Sequence, residues 1–191
     1  MTTITPSPAA RKSRAAQAFT LAEILIGLGI SSFILTGVLS TFLFLGRSGA
    51  NIQNYNDMEA QARNALELFA EDTRQASAIT WISNTELYLT VNSVAIYYYY
   101  DSDARAFYRK VTSGGTPRSL VTGITSFAYT AYSITGASLP LSTSSELTAA
   151  GRTTKQLQIS LEAARSSQTV ARATNTVLSA RFILRNKRVT T

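Results

Sequence analysis

The chain has no cysteine and no histidine. Without cysteine there is no disulfide and no thiolate nucleophile, even though the soluble part is expected outside the cytoplasm, where disulfides form. Without histidine the commonest general base and metal ligand at neutral pH is missing. No glycine-rich phosphate loop, no Ser/His/Asp set and no Cys/His metal spacing occurs either. The expectation is therefore a protein that is not an enzyme and that needs no cofactor, metal or small-molecule substrate. Proline is scarce, with 4 in the chain, and none interrupts residues 9–116. Charge is absent from one long stretch, residues 24–46.

That stretch dominates what is present. Its 23 uncharged residues, rising about 1.5 Å each as a helix, suffice for a hydrocarbon core of about 30 Å. A removable secretory signal has a shorter apolar core, followed by a small-residue cut site. Here the order is reversed: Arg11, Lys12 and Arg14 precede small residues up to Ala18, and the apolar run comes after them. The cations favour a cytoplasmic N-terminus, and they also suit acidic lipid head groups. Glu23 stands just inside the apolar segment, where an unpaired carboxylate costs several kcal/mol, roughly 2.5 or more. A plain membrane anchor has no use for it, so a partner is expected.

At Ala18-Phe19-Thr20-Leu21-Ala22-Glu23 and the apolar run behind it, the chain resembles the type IV pilin and pseudopilin superfamily. The resemblance implies cleavage between Ala18 and Phe19 by a prepilin peptidase, then N-methylation of Phe19. It implies that Glu23 supports subunit assembly by meeting the freed amino group of a neighbouring subunit. It places the protein in the inner membrane as a single-pass chain, N-terminus cytoplasmic and C-terminal domain periplasmic, and then in a pilus or pseudopilus fibre. Ala18 stands where the family usually has glycine, and the apolar helix lacks the proline of many major pilins. Gly27, Gly29 or Gly37 would then supply any bend. Loss of Arg11, Lys12 and Arg14 takes the net charge from +7 to +4, an ordinary balance.

Past the anchor, Ile52, Tyr55, Ala62, Leu66, Phe69, Thr73 and Ala76 recur at helical spacing and predict one apolar stripe that packs under a sheet. Glu59 and Arg63 form an i,i+4 pair off that stripe, and Gly46 and Gly49 mark the weak point between the helix halves. From residue 79 the texture becomes β. Residues 79–83, 86–91, 94–101 and 105–111 read as strands separated by Asn84-Thr85, Asn92-Ser93 and residues 102–104. Residues 120–121, 124–134, 155–161 and 169–184 continue the pattern, with a hairpin turn at 166–168. Residues 135–152, rich in Ser, Thr, Gly and Ala, read as a long exposed loop. The fold class is α+β: a long N-terminal helix with a membrane-spanning first half, packed on a C-terminal antiparallel sheet. The expected organisation is leader 1–18, anchor 19–46, amphipathic helix 47–78 and β-rich domain 79–191.

Within the superfamily, the segment Arg63 to Ala76, Tyr97–Asp101 with Phe107-Tyr108-Arg109, and Leu184-Arg185-Asn186 resemble PilW-like minor pilins and the J-type pseudopilins of type II secretion. This implies a structural subunit near the fibre tip, with other pilin subunits, prepilin peptidase and the membrane as partners. A DNA- or surface-binding competence pilin is the alternative, and a signal-anchored envelope enzyme is a weaker one. Three local patterns have plainer readings. Asp101 and Asp103 are few ligands for Ca²⁺, which takes 6–8 oxygens, so a solvated turn is preferred. Tyr97–Tyr100 sends two rings to the core and two outward, for a cross-strand pair or an intersubunit surface. Arg181, Arg185, Lys187 and Arg188 form a basic end, read as a solvated tail in preference to a DNA contact.

Overall fold

The computed structural model describes residues 19–112, 114–165 and 174–189. Helix α1 runs Leu21–Gln75 without a break, through both Gly46 and Gly49. The chain divides into two units, Met1–Leu45 and Gly46–Thr191.

In the first unit every described side chain is exposed, Phe33 to 86% and Phe44 to 70%. An exposed apolar surface of this size marks a site of contact with a membrane or another protein. This helix is long and apolar enough to cross a membrane. Three of its hydroxyls bond back along the helix, which lowers the cost of an apolar surrounding. Thr36 Oγ1 donates to the Ser32 carbonyl at 2.9 Å and Ser40 Oγ to that of Thr36 at 2.9 Å. Thr41 Oγ1 donates to the Gly37 carbonyl at 3.0 Å.

In the second unit the remainder of α1 lies on two antiparallel sheets. Strands β1 (Ala78–Trp81), β2 (Glu86–Val91), β3 (Val94–Asp101), β4 (Ala106–Val111) and β5 (Arg118–Thr122) form a meander in chain order. Strands β6 (Ile124–Tyr132), β7 (Ser138–Leu139), β8 (Gln156–Arg165) and β9 (Thr174–Ile183) form a second sheet, ordered β7-β6-β8-β9. The single sheet expected from sequence is thus two. The switch takes one residue: Gly123, at φ 76°, turns the chain out of β5 and into β6, a conformation glycine adopts without strain. The β2–β3 hairpin closes through Asn92 (φ 50°) and Ser93 (φ 66°), the left-handed pair that a two-residue turn needs.

The buried face of α1 is Met58, Ala62, Ala65, Phe69, Asp72 and Thr73, with Ala76 buried just past its end. It departs from the predicted stripe at three residues. Ile52 and Tyr55 are exposed and Leu66 is only half-buried. The small Ala62 and Ala65 let the sheets approach the helix closely, which rotates the contact face toward Met58 and Asp72. Phe69, fully buried, joins both sheets: its ring meets Tyr98 at 4.9 Å, Tyr129 at 6.0 Å and Phe182 at 5.6 Å. Complete burial of such a side chain contributes about 1.5–3 kcal/mol.

Residues 135–152, expected as a loop, contain β7 and a second helix, α2 (Ser144–Thr153). Thr143 caps it, and Glu146 closes a capping box by accepting from the Thr143 amide at 3.0 Å. Its side-chain composition resembles a loop, but Ala150 packs into the core. The hydroxyl of Thr154 accepts from Trp81 Nε1 at 3.2 Å. The turn expected at 166–168 lies outside the described residues.

Candidate functional site

Of the residues singled out at the N-terminus, Ala18, Arg11, Lys12 and Arg14 lie outside the described residues. Phe19 is 81% exposed and precedes the first helical turn. Thr20 and Glu23 are drawn together. Glu23 Oε2 accepts from the Thr20 amide at 2.9 Å and from Thr20 Oγ1 at 2.9 Å. The Glu23 amide donates back to Thr20 Oγ1 at 3.3 Å.

This is a capping box, Thr20-x-x-Glu23, at the N-terminus of α1. It gives the carboxylate a partner within its own chain, in addition to any that a neighbouring subunit supplies. The signal is legible in the sequence as Ser/Thr three residues before Glu, directly ahead of an apolar run. The helix N-terminus, with its unpaired amides, further favours the negative charge. Both contacts use Oε2, and Oε1 accepts from none of the described residues. One oxygen thus remains free for a cation or an amine from outside. Cleavage after Ala18 would leave the Thr20 amide in place, so cap and external pair are compatible.

A second polar cluster, not foreseen from sequence, ties the end of the helix to the first sheet. Asp72 Oδ2 accepts from Tyr98 OH at 2.6 Å and from Arg109 Nε at 2.8 Å. Burial, then the Asp72 carboxylate, pushes the Tyr98 phenol well above its ordinary pKa. Burial opposes the charge on Arg109, but the bond to Asp72 outweighs it and raises that pKa. Tyr98 OH and Arg109 Nε share this one carboxylate oxygen, so the cluster acts as a lock between helix and sheet.

The tyrosine run behaves as its alternation predicts. Tyr98 enters the core, and Tyr100 is half-buried against Phe127 with centroids 5.1 Å apart. Tyr97 and Tyr99 face outward and extend into a stack with Tyr88 and Tyr108, at centroid spacings of 4.6–5.1 Å. Rings stacked face to face leave mainly their edges to solvent. Asp101 closes its own turn: its Oδ1 accepts from the amides of Asp103 at 2.9 Å and Ala104 at 3.0 Å. Among the described residues no group of three acidic, His or Cys side chains could hold a metal.

The basic end is not simply a solvated tail. Arg181 lies over the Tyr132 ring at 3.6 Å. Lys187 is only 5% exposed, and its ammonium donates to the carbonyls of Arg152 at 2.6 Å and Thr154 at 3.0 Å. It thereby satisfies carbonyls at the C-terminus of α2, where a positive charge is favoured. No protein-family model matches the chain, and no curated protein matches it.

Proposed function

We propose that the protein is a structural, minor subunit of a type IV pilus or a type II secretion pseudopilus. The observation that carries this reading is the start of α1. The sequence Phe19-Thr-Leu-Ala-Glu23 opens a helix whose uncharged residues 24–46 are exposed wherever they fall in the first unit. Such a helix needs either a bilayer or a bundle of like helices, and exchanging one for the other costs little hydrophobic energy. In this reading the subunit waits in the inner membrane. Prepilin peptidase cuts between Ala18 and Phe19, and the new amine is methylated. The free Oε1 of Glu23 then meets the amine of a neighbouring subunit as the helix enters the fibre. The capping box holds the other oxygen, which fixes the carboxylate at the helix start.

Intact-mass and N-terminal peptide analysis of membrane-extracted protein tests this. The expected product begins at an N-methylated Phe19. An uncut chain in a strain with active prepilin peptidase, or a mature start beyond Gly46, would contradict the proposal.

A further inference from the structure

A sheet ends in edge strands whose outer amides and carbonyls lack partners, and proteins shorten, charge or cover such edges. Three of the four edges in this fold are short or covered. Strand β1 has 4 residues and lies against α2 through Trp81 and Thr154. Strand β5 has 5 residues and turns the Thr122 amide toward Gln61 Oε1 of α1, at 3.4 Å. Strand β7 has 2 residues. Strand β9 is different. It has 10 residues and pairs with β8 along its whole length without a bulge, and among the described residues no strand lies on its other side. It contains no proline and one charged residue, Arg181. That guanidinium is drawn back over its own sheet, where Nη2 donates to Gln158 Oε1 at 3.1 Å and the group covers the Tyr132 ring. The inner face is also left incomplete at this edge. Leu161, Ile159 and Leu157 of β8 are buried, whereas Leu178, Ala180 and Phe182, opposite them on β9, are only half-buried. On the outer face Val177 and Ile183 are 74% and 52% exposed.

We infer that β9 pairs antiparallel with β9 of a second copy of this chain, in a register centred on Ala180. The strand itself selects that occupant, because Val177-Leu-Ser-Ala-Arg-Phe-Ile183 has the same pattern of polarity read from either end. Opposed residues of an antiparallel pair lie on the same face. Centred on Ala180, the register sets Leu178 against Phe182 of the second copy on the inner face and Val177 against Ile183 on the outer face, each contact occurring twice. Ser179 falls opposite Arg181, so like charges do not meet. A register centred on Ser179 would instead set Val177 against Arg181 and Ile183 against Asn175. Parallel pairing in register would set Arg181 against Arg181. Because both copies use the same edge, the antiparallel pairing closes at two and joins two 4-stranded sheets into one. An edge about 34 Å long in a layer about 10 Å thick buries roughly 700 Å² between two copies, less than the about 1,000 Å² of a stable complex. Free copies therefore pair weakly. Copies confined to one membrane, by a helix long and apolar enough to cross it, meet at a higher effective concentration. Neither Glu23 nor leader processing enters this inference, so it and the proposed function can fail separately.

The chain has no cysteine of its own, which makes disulfide trapping specific. Val177→Cys and Ile183→Cys, each on a differently tagged full-length chain, are co-expressed, and their disulfide is read in the membranes after mild oxidation. In the inferred register the two positions are opposed, about 4.5–5.5 Å apart between Cα atoms, within reach of a disulfide. Two copies of position 177, or two of position 183, lie about 20 Å apart along the strands. The mixed pair should therefore give at least about tenfold more disulfide than either variant alone. Ser179→Lys in both copies, which opposes Arg181 with a like charge, should lower the yield several-fold, while Ser179→Glu should not. Both substitutions remove the same contacts to Gln158 and Ser160, so their difference reads the charge across the pair. Circular dichroism melts of the purified chains check the fold. If either cysteine variant melts early, Ser179→Cys with Arg181→Cys, opposed in the same register, replaces the pair in the yield comparison. A mixed yield no greater than that of the single variants, or of Ser145→Cys away from the edge, overturns the inference. So does an equal loss from Ser179→Lys and Ser179→Glu. A disulfide to a different protein in place of the second copy overturns the occupant.

Discussion

Glu23 has two separable jobs, and a short substitution series distinguishes them. Its Oε2 caps α1 through Thr20, with contacts of 2.9 Å to the amide and 2.9 Å to the hydroxyl. A cap of this kind is worth about 0.5–2 kcal/mol, typically near 1. In the proposed assembly role the same carboxylate also pairs with an amine inside an apolar bundle. Breaking a buried ion pair on one side costs about 3–5 kcal/mol, roughly two to nearly four orders of magnitude in incorporation. Glu23→Gln keeps an oxygen that can accept from Thr20 but removes the charge. Glu23→Ala removes both. Thr20→Val keeps the carboxylate and deletes only the hydroxyl. The assay is fractionation of each variant between the membrane pool and sheared or cross-linked fibres. If Glu23 pairs with an amine, Gln and Ala both fall by about a hundredfold or more, while Thr20→Val loses only a few-fold. Membrane insertion and leader removal stay near normal in all three. If Glu23→Gln assembles as well as wild type, the charge is dispensable and the capping box accounts for the residue alone. That result would refute the assembly pair and leave the cleavage site standing.

Residues 47–191, expressed without the anchor, should fold as a β-rich domain by circular dichroism. In that domain Asp72→Ala should cost about 2–4 kcal/mol in chemical denaturation, because Arg109 and Tyr98 lose their shared acceptor. The apolar set Asp72→Leu, Tyr98→Phe, Arg109→Met should recover most of the loss, and failure to do so would count against the lock. Phe69→Ala, which empties the junction of the two sheets, should cost about 3–5 kcal/mol in the same assay; a loss below about 1 kcal/mol would contradict the packing described. Burial raises the phenol pKa values of Tyr97, Tyr98 and Tyr129 in the folded state. Their contribution is complete below the unfolded value of about 10 and declines as pH rises above it. Stability should therefore fall above about pH 10, less steeply in Tyr98→Phe, and a pH-independent midpoint from about 9 to 12 would refute this.

Local chemistry makes much of this chain legible in its sequence. The apolar run, the strands at 86–91 and 94–101 and the Asn92-Ser93 turn depend on neighbours within a few residues. The capping boxes at Thr20 and Thr143 are local too, but stronger local signals mask them. A carboxylate beside an apolar run points to the membrane, and the small polar residues of 135–152 point to a loop. What sequence could not decide was every contact across long separation. That Phe69 would meet rings from both sheets, that Asp72 would find Arg109 and that Lys187 would be buried against α2 follow from how the layers pack. A cation in a polar tail reads as solvated, and a helical aspartate reads as surface, unless the partners that compensate their burial are known. Those partners lie tens of residues away, so only the tertiary structure could name them.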